Sequence, residues 1–140
     1  MKNAPISRTL QNILHAAAKE QNSILFYERL ADMSPDSQSK NIISNRIQTG
    51  EKQHLQNLIT LHSQLTGKPT VLPNPQMPDF NKYQDGLNRV ILDELDSHKF
   101  YKASYLQTTS PKARQVFFDL LHDELEHAAY ANFLMTRKIY

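Results

Sequence analysis

The sequence predicts an all-α protein, a four-helix bundle made of two repeated helical hairpins joined by a long crossover. Apolar residues recur at steps of three and four, the period of amphipathic helices, while proline and glycine cluster between the periodic segments. One pattern of glutamate, tyrosine and histidine also occurs twice in the same order. The 140 residues fit one domain, and we expect that domain to span residues 1–140.

The first half of the chain carries two predicted helices. The first runs from Ser7, as its N-cap, to Met33 and stops at the Ser34-Pro35 turn. The second begins at residue 36 or 37 and ends at Gly67, because glycine readily takes the left-handed conformation that closes a helix. The two buried faces are predicted to contain Ile13, Ala17, Glu20, Ile24, Tyr27 and Ala31, and Ile43, Ile47, Glu51, His54, Leu58, Leu61 and Leu65.

A proline-rich segment, residues 68–80, separates the two halves and is unfit for a helix. Fully extended, it reaches about 40 Å at roughly 3.3 Å per residue, about the length of a helix of some 27 residues. It can therefore run the length of the bundle as a strap. The second and third helices are then parallel, whereas the two short turns make antiparallel hairpins.

The second half carries the third and fourth helices. The third runs from Asn81 to Gln107, and the fourth has Ser110 as N-cap and Pro111 at its first position. Arg137 and Lys138 near its end complement the negative pole of the helix dipole. The two buried faces are predicted to contain Leu87, Ile91, Glu94, His98, Tyr101 and Tyr105, and Ala113, Phe117, Leu120, Glu124, His127, Ala131 and Leu134.

The repeated pattern is Glu-x6-Tyr on one helix followed by Glu-x-x-His on the next. Its members are Glu20, Tyr27, Glu51 and His54 in the first half, and Glu94, Tyr101, Glu124 and His127 in the second. The step from the first glutamate to the second is 31 residues in one copy and 30 in the other. These polar residues stand within the apolar faces, where burial of an uncompensated carboxylate costs several kcal/mol.

This set of side chains predicts a dinuclear metal site. Two glutamates and two Glu-x-x-His pairs, one element from each of four helices, are the ligands of di-iron and di-manganese bundles. Four carboxylates and two neutral imidazoles also balance the charge of two divalent cations. We expect two iron ions, or manganese, because oxygen and nitrogen ligands do not separate these metals by affinity alone. The predicted ligands are Glu20, Glu51, His54, Glu94, Glu124 and His127.

With these motifs the chain resembles, over nearly its whole length, the ferritin-like superfamily and within it the di-iron domain of the rubrerythrins. The resemblance implies that Glu51 and Glu124 bridge the two metals and that each histidine binds one of them. It implies terminal binding by Glu20 and Glu94.

The same resemblance implies catalytic, proton-handling roles for Tyr27 and Tyr101, through hydrogen bonds to ligand carboxylates. Two departures from the family limit the comparison. The chain has no cysteine, so it lacks the rubredoxin-like module, and a separate electron-donor protein is implied. Ser97 stands where rubrerythrins tend to have a further carboxylate, which weakens the case for peroxide reduction by their mechanism. His98 is a candidate extra or substitute ligand.

Several other polar residues have roles that the sequence leaves open. Asp123 either orients a histidine from another helix or is an exposed or capping residue. Gly50, inside a predicted helix, marks close packing or a local distortion. The remaining histidines, His15, His62 and His122, have no partners in the repeat and are predicted at the surface or rim.

The leading functional hypothesis is a non-haem di-iron oxidoreductase that reacts with O₂ or peroxide, as a ferroxidase or a peroxide-reducing enzyme. The alternative is a non-catalytic metal-binding or structural bundle for iron handling or scaffolding. The absence of cysteine excludes disulfides, zinc ribbons, iron–sulfur clusters and thiol catalysis. Well-mixed charges with a net +2 predict that the protein does not bind nucleic acid, and short apolar stretches predict that it does not enter a membrane. The lack of cysteine fits a reducing compartment, so we expect a cytoplasmic location.

The outer faces of the helices suggest self-association. Phe26, Phe118 and Tyr130 are predicted to be exposed, and they can cover one another across a two-fold axis. We therefore expect a homodimer.

Overall fold

Four helical rods make up the computed structural model, which describes residues 4–137. Within these residues there are helices and no strand, so the predicted fold class is confirmed. The second rod, α2, covers residues 37–66 without a break in helical backbone. The helices are α1, Ala4–Asp32; α2, with the segments Ser37–Ile42, Ile43–Gln48 and Thr49–Thr66; α3, Tyr83–Gln107; and α4, Pro111–Thr136.

The helix ends follow local capping chemistry. The Asp36 side chain accepts a hydrogen bond from the Ser39 N–H at the start of α2, and Ser110 caps α4 with Pro111 behind it. Gly67 closes α2 with a φ of 70°. The prediction of Ser7 as an N-cap is wrong, because α1 begins three residues earlier, at Ala4. Lys138 lies outside the described residues.

Neighbouring helices are antiparallel. Tyr27 contacts Glu94, whereas Tyr101, later on α3, contacts Glu20, earlier on α1. These two contacts run in opposite directions along the chain, so α1 and α3 are antiparallel. Since α1 and α2 form a hairpin, α2 and α3 are parallel, as the crossover predicts.

The crossover, residues 67–82, is extended and lies along α1. The Gln21 side chain donates to the Pro73 carbonyl, and the Gln76 N–H donates to the Asn22 side chain, both at 2.8 Å. Residue numbers rise together along α1 and the crossover, so the two segments run in the same direction. The crossover therefore works as the predicted strap and brings the chain back to start α3.

The strap corrects one prediction about the surface. Phe80 at its end packs on Phe26 with ring centroids 4.4 Å apart, and Phe26 is only 8% exposed. Phe26 is therefore part of the core and not of an outer face. Phe118 is 50% exposed and Tyr130 is half-buried, so the homodimer stays a prediction that rests on these two.

Two apolar clusters fill the bundle, one toward each end, and the polar residues of the repeat lie between them. The first contains Phe26, Tyr27, Leu30, Ala31, Ile43, Ile47, Phe80, Leu87, Val90, Ala131 and Leu134, and the second contains Ile13, Ala16, Ala17, Leu58, Leu61, Tyr101, Ala113, Phe117 and Leu120. No helix within residues 4–137 is both long and apolar enough to cross a membrane.

A π-helical turn interrupts α2 at Ile43–Gln48, shortly before Glu51. The Thr49 N–H donates to the Ser44 carbonyl, five residues back, and the Thr49 hydroxyl donates to the same oxygen at 3.0 Å. A π turn takes one more residue than an α turn to close its hydrogen bond. It therefore changes the helical register just before Glu51, whose side chain is fully buried.

Candidate metal centre

Six side chains from the four helices converge in the middle of the bundle, each no more than 4% exposed. They form two overlapping groups in which the ligand atoms lie within 4.8 Å of one another. The groups are Glu20, Glu51, His54 and Glu124, and Glu51, Glu94, Glu124 and His127. Both groups contain Glu51 and Glu124, the pair that the resemblance implies as bridges. The cluster is therefore capable of binding a pair of metal ions.

Both imidazoles turn the ring nitrogen Nδ1 toward the carboxylates. Nδ1 of His54 lies 3.5 Å from Oε1 of Glu124 and 3.8 Å from Oε2 of Glu20. Nδ1 of His127 lies 2.6 Å from Oε1 of Glu51. The ring centroids of the two histidines are 5.7 Å apart. The two imidazoles thus flank the shared carboxylates.

Most of the ligand atoms have no hydrogen-bond partner within the described chain, and the short approach of His127 to Glu51 is not a hydrogen bond. The unpartnered atoms are Oε2 of Glu20, both carboxylate oxygens of Glu51, Oε2 of Glu94, Oε1 of Glu124, and Nδ1 of His54 and of His127. Leaving a buried polar atom unpaired costs about 1–3 kcal/mol. Oxygen and imidazole nitrogen atoms aimed at one another fit divalent iron or manganese as the missing partner.

The tyrosines of the repeat support the terminal glutamates across the two halves. The Tyr27 hydroxyl donates to Oε1 of Glu94 at 2.5 Å, and the Tyr101 hydroxyl donates to Oε1 of Glu20 at 2.7 Å. These are the hydrogen bonds that the resemblance implies. Burial and the neighbouring carboxylates raise the pKa of both tyrosines, so the hydroxyls keep their protons and remain donors. The catalytic roles of the two tyrosines stay a prediction.

Asp123 holds the outer nitrogen of His54. Oδ2 of Asp123 lies 2.8 Å from Nε2 of His54, on a different helix. A carboxylate on the outer nitrogen of a histidine fixes its tautomer and turns the other nitrogen toward a metal. Of the roles that the sequence left open for Asp123, orienting a histidine is the one observed.

Gly50, the counterpart of Asp123 in the repeat, gives His127 a different environment. A Cβ atom at Gly50 would lie 2.9 Å from Nε2 of His127, so this glycine allows close packing of the imidazole ring. Among residues 4–137, no side chain or carbonyl forms a hydrogen bond with that nitrogen. The two halves of the cluster are thus unequal: one imidazole has a carboxylate behind it and the other has a glycine.

The other histidines stay outside the cluster. Nδ1 of His98 lies 2.8 Å from the Leu121 carbonyl, a geometry in which the ring donates, and His98 belongs to neither metal-binding group. His15 packs on an aromatic ring, His62 contacts the strap through Thr70, and His122 is exposed. These three positions agree with the predicted surface or rim locations.

In the metal-free protein, burial and mutual repulsion shift the pKa values of the carboxylates. Burial, with the neighbouring carboxylates, raises the pKa values of Glu51, Glu94 and Glu124 well above the usual range. Burial has the same effect on Glu20, but contacts with Glu51 and His54 and the tyrosine hydrogen bond outweigh it and bring the Glu20 pKa to about 2. Without metal, Glu20 therefore favours its ionised form, and the surroundings of the other three carboxyls favour the neutral form.

The two imidazoles differ in the same way. Burial lowers the pKa of His54, but Glu20 and Asp123 more than reverse this and raise it to about 9. Burial and the positive charge of His54 lower the pKa of His127 to about 4. At pH 7 His54 therefore favours its charged form and His127 its neutral form.

We predict that binding of two divalent ions at pH 7 releases more than one proton per chain, because metal ligands must be deprotonated. His54, whose pKa is raised to about 9, gives up one proton. Glu51, Glu94 and Glu124, whose pKa values are also raised, add to the release. Calorimetric titration with Zn²⁺ in buffers of different ionisation enthalpy counts these protons. Release of one proton or fewer would contradict the raised pKa values of the three glutamates.

The chain is similar, over most of its length, to proteins of about the same size. No family model matches the chain. The chain is 28% identical over 129 residues to the uncharacterized protein YhjR of Bacillus subtilis, covering 91% of this chain and 88% of YhjR.

Two solved structures have the same architecture. A conserved hypothetical protein, rv2844, from Mycobacterium tuberculosis has a TM-score of 0.83 at 15% identity, over 98% of this chain and 97% of that one. The hypothetical protein Pfu-1136390-001 from Pyrococcus furiosus has a TM-score of 0.76 at 22% identity, over 94% and 93%. The shared fold is an all-α four-helix bundle. At these identities the similarity extends to the fold alone, and the buried cluster carries the functional argument.

Proposed function

We propose that the chain is a rubrerythrin-like, non-haem di-iron protein that reacts with O₂ or peroxide, as a ferroxidase or a peroxide-reducing oxidoreductase. The single observation that carries this proposal is the pair of buried ligand groups that share Glu51 and Glu124. Two groups with two carboxylates in common have the composition of a carboxylate-bridged dinuclear site.

The proposed ligands divide between two metal positions. Glu20 and His54 would hold one ion, at the first position, Glu94 and His127 would hold the other, at the second, and the shared glutamates would be ligands of both. Manganese fits the same donor atoms. Two ferrous ions, when bound, supply the electrons that reduce O₂ or peroxide.

The side chains of this protein position the proposed ligands, exclude water and carry protons near the site. Tyr27 and Tyr101 hold the terminal glutamates in place and carry hydroxyl protons next to them. The apolar clusters on both sides exclude water, which strengthens electrostatic interactions inside the site. Because the 140 residues contain no cysteine for an iron–sulfur or rubredoxin-type centre, we assign re-reduction of the iron to a separate electron-donor protein.

The reaction with peroxide tests this proposal. The protein is loaded anaerobically with two Fe²⁺ per chain and mixed with one equivalent of hydrogen peroxide, and near-ultraviolet absorption is followed by stopped flow. We expect oxidation of iron at least about tenfold faster than for free Fe²⁺ in the same buffer. The double variant Glu51→Ala/Glu124→Ala is expected to lose this acceleration.

The matched control is Glu28→Ala, which removes an exposed glutamate from α1 and should behave like the parent protein. If the parent protein binds iron but oxidises it no faster than buffer does, the redox proposal fails. The non-catalytic iron-handling bundle is then the better description.

A further inference from the structure

A cavity between α1 and α3 leads from the surface to the second metal position, and the proposed function gives this cavity no role. Its volume is about 240 Å³. Its inner end is lined by Tyr27, Glu94 and Ser97, and the strap residue Gln76 lies at its edge. Because Glu94 is both a proposed ligand and part of the cavity wall, a molecule in the cavity lies next to the metal pair.

The inner end of the cavity offers one unused hydrogen-bonding group, the hydroxyl of Ser97. It lies beside Glu94, whose Oε1 accepts from Tyr27 and whose Oε2 is a proposed metal ligand atom. Ser97 is only 7% exposed, and within residues 4–137 its hydroxyl forms no hydrogen bond. A buried hydroxyl that lines a cavity without a protein partner is a position where a polar ligand can bond.

The mouth of the cavity favours a ligand without net charge. It carries two cations, Lys19 and Arg89, and two carboxylates, Asp93 and Asp96. These charges balance, so the mouth gives no preference to an anion or a cation. A charged ligand would also lose its hydration on the way in without gaining a paired opposite charge.

The walls and the volume of the cavity further restrict which molecules can bind. Phe26 and Val90 form an apolar wall beside the polar inner end. A volume of about 240 Å³ equals that of about eight water molecules, yet it is below the roughly 300 Å³ at which pockets for drug-sized ligands begin. The space is larger than hydrogen peroxide needs and fits a molecule with a few carbon atoms.

We propose that this cavity binds a small alkyl hydroperoxide, with the hydroperoxide group at the Ser97 hydroxyl, next to Glu94 and the metal pair, and the alkyl group against Phe26 and Val90. The proposal rests on the proposed function, because it supplies the substrate class for the same metal pair. Uncharged at neutral pH, polar at one end and apolar at the other, such a molecule matches the mouth, the inner end and the wall.

Nuclear magnetic resonance on the zinc-loaded protein tests this proposal without any redox reaction. Isotope-labelled protein with two Zn²⁺ per chain is titrated with tert-butyl hydroperoxide. We expect saturable shifts of the Val90 methyl and Ser97 amide signals, and weaker shifts with tert-butyl alcohol, which lacks the second oxygen. Equal binding of the alcohol would overturn the assignment of the hydroperoxide group.

Two variants that narrow the cavity sharpen the test. Ser97→Leu on α3 and Ser23→Leu on the opposite wall should each weaken hydroperoxide binding by about tenfold or more while zinc content is kept. Ala103→Leu, an exposed position on α3, is the matched control and should bind as the parent does. Unchanged affinity in both cavity variants would overturn the proposal.

The same experiment separates the two proposals. If the parent protein holds two zinc ions but the cavity signals do not shift saturably, the hydroperoxide site is wrong and the metal pair stands. If the parent protein holds fewer than one zinc ion per chain, the metal pair itself is wrong, and the hydroperoxide site fails with it.

Discussion

Two equivalents of a divalent metal will raise the midpoint temperature of unfolding by more than about 10 °C. Ligand binding to the folded state alone adds about 4 kcal/mol per site when free metal is roughly a thousand times the Kd. Bound metal would also give a partner to the buried oxygen and nitrogen atoms of six side chains that otherwise lack one. Scanning calorimetry with and without Zn²⁺ or Mn²⁺, at fixed protein concentration, measures the change.

The double variant Glu51→Gln/Glu124→Gln separates metal binding from general stability. Burial and the neighbouring carboxylates raise the pKa of both glutamates and so favour their neutral form, which means that neutral glutamines should leave the metal-free midpoint nearly unchanged. The metal-dependent increase should disappear. An increase of the same size in the double variant would show that metal stabilises the protein elsewhere on the chain.

Asp123→Asn will weaken the binding of one metal by about 10- to 100-fold and leave the other nearly unchanged. The reason is the 2.8 Å contact between Asp123 and Nε2 of His54, which orients the histidine of the first metal position alone. His127 of the second position has Gly50 behind it. Competition titrations with a chromophoric chelator resolve the two affinities.

Two further variants complete this test. Gly50→Ala brings a Cβ to 2.9 Å from Nε2 of His127 and should weaken the second position instead of the first. Asp119→Asn removes an exposed carboxylate one turn before Asp123 on α4 and should change neither affinity. If Asp123→Asn and Asp119→Asn gave the same two affinities, the contact of Asp123 with His54 would have no part in metal binding.

The repeat and the apolar faces made the centre of this fold predictable. Because glutamate and histidine stood where a helix normally buries leucine, Glu20, His54 and their repeat counterparts had to meet inside the bundle. The proline-rich strap required a long connection, and this set the parallel direction of α2 and α3. Capping chemistry located the ends at Gly67 and Ser110.

What the sequence did not determine depends on contacts between distant segments. Periodicity says which face of α1 turns inward but not what covers its other face, so Phe26 was expected at the surface although Phe80 of the strap covers it. The π turn at Ile43–Gln48 had no signal in the apolar periodicity. The role of Asp123 depended on the rotation of α4 against α2, which no local pattern encodes.

The central claim is that the buried cluster holds two metal ions per chain, and metal content tests it most directly. The protein is loaded anaerobically with Fe²⁺, desalted and analysed by mass spectrometry for metal, with protein concentration measured on the same sample. We predict two irons per chain, and a loss of bound iron when Glu51 and Glu124 are both replaced by alanine. Fewer than one iron per stably folded chain would contradict the account.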